Sequence, residues 1–253
     1  MRPPFALPFR TVRTGLVSRA TTIAGVMALS VAWAAGTPLA AQGAGDTRPT
    51  LAVLYLTNGA MVDNASYAPL SKGMAEMLIT ELAQNSAVRV VERDRLQAVL
   101  EEQNLQGSDR VNKETAVQLG KVLGARHMLM GSFVVDPRQN MRIDVRAVNT
   151  ETSAIDYVQT VSGKSDKLLE LVIELGAKLN AGLKLPALKS ASRTAPAAKN
   201  PNQFKALLAM SQALEAEDTK DFEQAKTLYR SAIALNPEMD RARILLASVE
   251  RTR

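Results

Sequence analysis

Residues 141–149, MRIDVRAVN, alternate without a break: Met141, Ile143, Val145 and Ala147 are apolar, while Arg142, Asp144 and Arg146 are charged. A period of two is the signature of a strand, and this strict alternation calls for an antiparallel sheet with one face covered and one face wet. The flanking segments agree. RHMLMGSFVV (126–135) leads in through the turn Asp136-Pro137-Arg138-Gln139-Asn140, and Ile155–Ser162 returns after the turn NTETS. LAVLYL, Leu51–Leu56, has another character, because a continuous apolar run suits a strand covered on both faces. One sheet must therefore be sandwiched at one side and open at the other.

Helical patterns fill the intervals. Leu70, Met74, Met77, Leu78 and Leu82 share one face of a helix over Ser71–Gln84, with the methionines as core filler. Residues 57–69 hold Asn58-Gly59, Asp63-Asn64 and Pro69, all turn formers, and read as a loop. Val88–Val91 is a short strand that runs into Glu92-Arg93-Asp94-Arg95 and a helix LQAVLEEQNL ending near Gly107. A further helix covers Lys113–Leu123, with Gly124 as its stop. Lys167–Leu183 closes the domain as an amphipathic helix with Leu168, Leu171, Val172, Leu175 and Leu179 inward. The order β-α-β-α-α-β-β-β-α over residues 51–183 implies an α/β fold, a sandwich with mixed strand pairing.

The first 41 residues carry Arg2, Arg10, Arg13 and Arg19 and no acid, then an apolar stretch from Ile23 to about Ala35 and small residues with Pro38. That is the tripartite pattern of a secretory signal peptide. The apolar run is shorter than the roughly 20 residues that span a bilayer, so a permanent anchor is the second reading. Ala32-Trp33-Ala34 and Ala41-Gln42-Gly43 place cleavage between residues 34 and 44, with residues 42–50 as a polar leader. No integral span is expected after cleavage. The chain has no cysteine, so lipid attachment at a cleavage-site cysteine and disulfide staples are both ruled out. Taking the four signal arginines from 31 basic residues leaves 27 against 25 acids, a net charge of +2. Nucleic-acid binding, which needs a clustered basic face, is not indicated.

Residues 184–202 hold Pro186, Pro196 and Pro201 among Ala, Ser, Lys and Arg with no acid, a flexible-linker composition. Residues 203–253 are helical: a helix to about Glu217, a polar turn, a helix Phe222–Leu235 stopped by Asn236-Pro237, and a third helix from Glu238. Ala213, Phe222, Ala225, Tyr229, Ala232 and Pro237 stand at the small, aromatic and breaking positions of one 34-residue unit, Ala206–Met239. This unit resembles a tetratricopeptide (TPR) repeat, a TPR-like all-α helical hairpin. It departs from the pattern at Ala209, where the first large aromatic belongs. A single unit lacks the extended groove built by three or more repeats. It reads as a docking foot, an oligomer contact or a cap on the main domain.

The chemical inventory is thin. The one histidine, His127, starts an apolar strand and reads as structural; there is no G-x-S-x-G and no second histidine for a metal pair. Gly120-Lys121 and Gly124 precede a strand, the wrong context for a phosphate loop. Glu92, Asp94, Glu101 and Glu102 interleave with Arg93 and Arg95 and read as a solvated, salt-bridged helix start. The expectation is a protein that is not an enzyme, with no cofactor and no metal.

LAVLYLTN, VVERDRLQAVLEEQNL and QLGKVLGARHMLMGSFV together resemble the curli production assembly/transport (CsgG/HfaB-like) family, from about Leu51 to Leu183. The resemblance implies a periplasmic fold shared more loosely with the amino-terminal domain of TolB. It also implies a ring-forming secretion channel with two membrane hairpins per subunit. Those hairpins would interrupt Phe133–Arg142 and Ile155–Leu168, where only a five-residue turn and an ordinary strand followed by Gly163-Lys164-Ser165 are found. Membrane strands need roughly 9–11 residues each. The loop Thr57–Pro69 takes the position of the family's constriction loop, which makes Asn58, Asn64 and Tyr67 candidate interaction residues. The expectation is a soluble periplasmic accessory or assembly protein. It would bind a protein partner of the cell envelope, work as a ring or smaller homo-oligomer and associate at most peripherally with the outer membrane. The alternatives are a subunit of a curli-type secretion channel and a regulator of peptidoglycan synthesis enzymes.

Overall fold

A computed structural model describes residues 48–105, 111–185 and 200–251. The expected signal segment 1–41, most of the leader, the helix exit at Gly107 and the greater part of the linker lie outside the described residues.

The alternating stretch forms β5 (Asn140–Asn149), between β4 (His127–Val135) and β6 (Ile155–Lys164) in an antiparallel meander. Met141, Ile143, Val145 and Ala147 are buried, while Arg142 and Arg146 are exposed. On the other side of β4 the pairing turns parallel. β1 (Thr50–Val53) lies beside β4 and β3 (Arg89–Val90) beside β1, which gives one mixed sheet in the order β3-β1-β4-β5-β6. The apolar run Leu51–Leu56 is buried throughout but does not stay a strand. Its pairing with β4 starts as Leu51 opposite His127 and resumes as Thr57 opposite Ser132, so one extra residue is accommodated in between. That insertion is a bulge, and it turns Leu54, Tyr55 and Leu56 into the core.

Helix α1 (Asn64–Tyr67) and strand β2 (Thr57–Asn58) occupy the segment expected to be loop. Helix α2 (Leu70–Ala83) is apolar almost all round and buries nine of its residues, Glu76 among them. Helix α3 (Arg93–Glu102) starts three residues before Leu96, after Glu92, which is extended and makes no side-chain capping bond. Helix α4 (Lys113–Leu123) begins at Asn112, whose side chain accepts from Thr115 N, and ends at Gly124 with φ 65°, the left-handed conformation glycine adopts without strain. A 3-10 turn (Ser165–Lys167) leads into α5 (Leu168–Gly182). The pleat separates two layers: Gly163, on the Met141–Ile143 face, lies under Leu171 of α5, whereas Met128, on the opposite face, meets Gly120 of α4.

Helices α6 (Gln203–Asp218), α7 (Phe222–Leu235) and α8 (Asp240–Arg251) follow. They belong to the same compact unit as the sheet. Helix α6 packs along α2 so closely that a Cβ on Gly73 would collide with Ser211. Gly73 and Ser211, both buried, are small where the two helices cross.

Candidate functional site

The 57–69 segment is a built structure. After β2, Gly59 N donates to Phe133 O at 2.8 Å and Met61 N to Val135 O at 2.9 Å, so the backbone keeps following β4 to its end. Asn58 and Asn64 are brought together. Asn58 Nδ2 donates to Asn64 O (2.8 Å), Asn58 Oδ1 accepts from Ala60 N (3.0 Å), and Asn64 Nδ2 donates to Ala60 O (3.2 Å). Both side chains bind their own loop. Tyr67 points inward: it is 7% exposed, its hydroxyl donates to Gln139 Oε1 at 2.7 Å, and its ring packs near Phe204 of α6. Expecting Tyr67 at the surface misses this, because Gln139 lies 72 residues further along the chain. Ser165 completes the node, donating its hydroxyl to Gln139 Oε1 (3.0 Å) and its N–H to Gln139 O (2.9 Å). The loop presents Met61 to solvent, 71% exposed.

A second constellation lies where α6–α8 meet α2 and α3. Arg93 is 3% exposed, which corrects the reading of a solvated helix start at this one residue; Glu92, Asp94, Arg95, Glu101 and Glu102 are exposed, as expected. Its Nη1 donates to Asp218 Oδ1 at 2.6 Å and its Nη2 to Asp94 Oδ1 at 3.0 Å, with Glu217 at 3.9 Å. Lys72 Nζ lies 2.8 Å from the other Asp218 oxygen. Glu76, fully buried, is bonded by Arg241 of α8 and faces Arg93 Nε at 3.9 Å. Tyr229 hydroxyl donates to Glu217 Oε2 at 2.7 Å. Burial holds the Glu76 carboxyl above the ordinary range, against the pull of Arg241 and Arg93, and burial likewise raises Glu217 and Tyr229. One signal for this joint is present in the chain: a charged Glu76 inside the otherwise apolar GMAEMLI cannot be buried without a cation. Lys72, Arg93, Asp218 and Arg241 carry no such local mark.

Ala213, Ala225, Tyr229 and Ala232 are fully buried between the helices; Phe222 is partly buried and opens α7, and Pro237 sits exposed between α7 and α8. His127 Nε2 donates to Asp156 Oδ2 at 2.8 Å, and Asn149 Nδ2 donates to the same oxygen at 3.0 Å. Asn149 and His127 together hold the Asp156 carboxyl below its usual value. The neighbouring cleft of about 410 Å³ is lined by Pro49, Arg126, Gly182 and Leu183–Leu185 besides this pair, without a hydroxyl or thiol. Among the described residues no three His, Asp or Glu side chains gather as metal ligands, and no helix is long and apolar enough to cross a membrane.

Residues 39–135 match the family model described as curli production assembly/transport component CsgG. The match takes in β1 through β4, including the 57–69 segment, and covers well under half of the chain. Among solved structures, the LpoB C-terminal domain from Salmonella enterica aligns at 17% identity over 46% of this chain and 82% of that one, with a TM-score of 0.37. Lipoprotein GNA1162 from Neisseria meningitidis aligns at 11% identity over 52% and 96%, with a TM-score of 0.40. The PelC dodecamer from Paraburkholderia phytofirmans aligns at 14% identity over 55% and 90%, with a TM-score of 0.35. No curated protein matches.

Proposed function

We propose that the chain is an exported, non-catalytic accessory protein of the bacterial envelope, working in the periplasm by recognising another envelope protein. The observation that supports it is the CsgG family match over residues 39–135, on a sheet whose later strands are joined directly. Five residues link Val135 to Met141, and β6 passes straight into the 3-10 turn at Ser165. These are the two places where the resemblance to a channel subunit would insert membrane strands, which favours the accessory role over the pore role. In this reading Asn58 and Asn64 shape the 57–69 loop and Met61 is its contact residue. Helices α6–α8 form a TPR-like unit whose first helix packs on α2, which fits the cap among the roles open to that unit.

Fractionation of the producing cells tests the proposal. Release with the periplasmic contents on osmotic shock is the expected result. Recovery in outer-membrane pellets after a high-salt wash would overturn it in favour of a channel subunit.

A further inference from the structure

Strand β6 ends the sheet. Among the described residues its ten residues pair only with β5, whereas the opposite edge, β3, is two residues long. The hydrogen-bond phase is set by Ser165 N, which donates to Gln139 O. From there the ladder alternates, so Gly163, Val161, Gln159 and Tyr157 exchange bonds with β5. Val158, Thr160, Ser162 and Lys164 turn their N–H and C=O groups outward, the Thr160 carbonyl accepting from Gln159 Nε2 at 2.7 Å, a side-chain bond that a pairing strand replaces. Long open edges are normally blunted by proline, inward charge or a covering element, since they template pairing with another chain. Between Tyr157 and Gly163 β6 has no proline and no charge, and it leaves Val158 60% and Ile155 45% exposed.

We propose that β6 is a self-association edge, on which two copies of this chain pair antiparallel about a two-fold axis at Thr160. In that register Val158 lies opposite Ser162 of the second copy and Thr160 opposite itself. Asp156 and Lys164 come opposite each other at both ends. A two-fold axis at Val161 would set Asp156 against Asp166, and one at Ser162 would leave Lys164 opposite Thr160. Charge complementarity therefore selects the Thr160 axis. His127 and Asn149 both use Asp156 Oδ2, which leaves Oδ1 to face the lysine of the second copy, whose Nζ exchanges its exposed 2.9 Å bond to Arg138 O for the carboxylate. Head-to-tail continuation of the sheet is excluded by the short β3, so the contact is isologous and closes at two copies. This edge is the same whether or not the chain acts in the envelope.

The absence of cysteine makes the test clean. Facing residues in a hydrogen-bonded antiparallel pair are about 5.5 Å apart at Cα, within disulfide reach. With the protein purified as its host processes it, Thr160→Cys should crosslink to a covalent dimer under copper–phenanthroline, while Val158→Cys alone should not. Mixing Val158→Cys with Ser162→Cys should restore crosslinking. Thr160→Pro removes an outward N–H and the hydroxyl bond to Asp144, and leaves the ladder to β5 in place. It should convert a sedimenting dimer to monomer with unchanged far-ultraviolet dichroism. A monomeric parent at every concentration, a dimeric Thr160→Pro, or Val158→Cys crosslinking as fast as Thr160→Cys would each overturn the proposal. If Thr160→Pro misfolds, the cysteine series still decides.

Discussion

Two nodes tie distant parts of the chain to the sheet layer, and they use opposite chemistry. Tyr67, Gln139 and Ser165 join through neutral hydrogen bonds beside an aromatic contact. The joint of α2 and α3 with α6–α8 instead gathers Lys72, Arg93 and Arg241 against Glu76, Glu217 and Asp218. A neutral node loses one modest bond when a partner is deleted. A buried charged node loses more, because the surviving charge keeps its desolvation cost without its counter-ion. The contrast teaches that the C-terminal helices are held by a device sensitive to composition and pH, and the loop end by one that is not.

Arg93→Met should have the largest effect, lowering unfolding free energy by about 3–5 kcal/mol in urea titrations, since it strips Asp218 and Glu76 of a buried cation. Gly73→Val should follow at about 1–3 kcal/mol, by forcing α2 away from Ser211 without touching a charge. If it equals Arg93→Met, helix approach rather than charge dominates the joint. Tyr67→Phe should cost about 0.5–1.5 kcal/mol and leave the α6–α8 joint unaltered by hydrogen exchange. The smallest effect is in pH. Glu76 and Glu217 are held above their ordinary value of 4.5 in the folded chain, so the native state binds their protons more readily. Stability from these two groups therefore falls as pH rises through the window above 4.5. Asp136, Asp144 and Asp156, held below 3.8, act in the opposite sense, their contribution being lost as pH drops below 3.8. Glu76→Gln should flatten the first slope in urea midpoints and leave the second.

Much of the fold is legible where the pattern is local. The 141–149 alternation gives β5 with its correct inward residues, Gly124 marks the end of α4, and Phe222–Leu235 is a helix with those bounds. Local pattern misleads where the partner is remote. Asn58-Gly59 and Asp63-Asn64 signal a loop, yet Asn58 ends β2, Asn64 opens α1, and the backbone between them pairs with Phe133 and Val135, which no turn propensity encodes. Glu92-Arg93-Asp94-Arg95 reads as solvated because its neighbours are charged, whereas the residue that buries Arg93, Asp218, is 125 positions away. Asn58 and Asn64 are both in the candidate loop, but their amides hold it in shape, and the large apolar side chain exposed there is Met61.

The ion pair between Glu76 and Arg241 joins residues 165 positions apart. Contacts of such high sequence separation form late, after the loop-closure entropy of the intervening chain has been overcome. Helix α2 therefore reaches its final environment only once the last helix has been synthesised. Until then its buried carboxylate has no cation from α8, and the native state is out of reach for a nascent chain. Under the export proposed above, that ordering keeps the chain unlocked in transit, because its own topology delays the ion pair until α8 has been delivered.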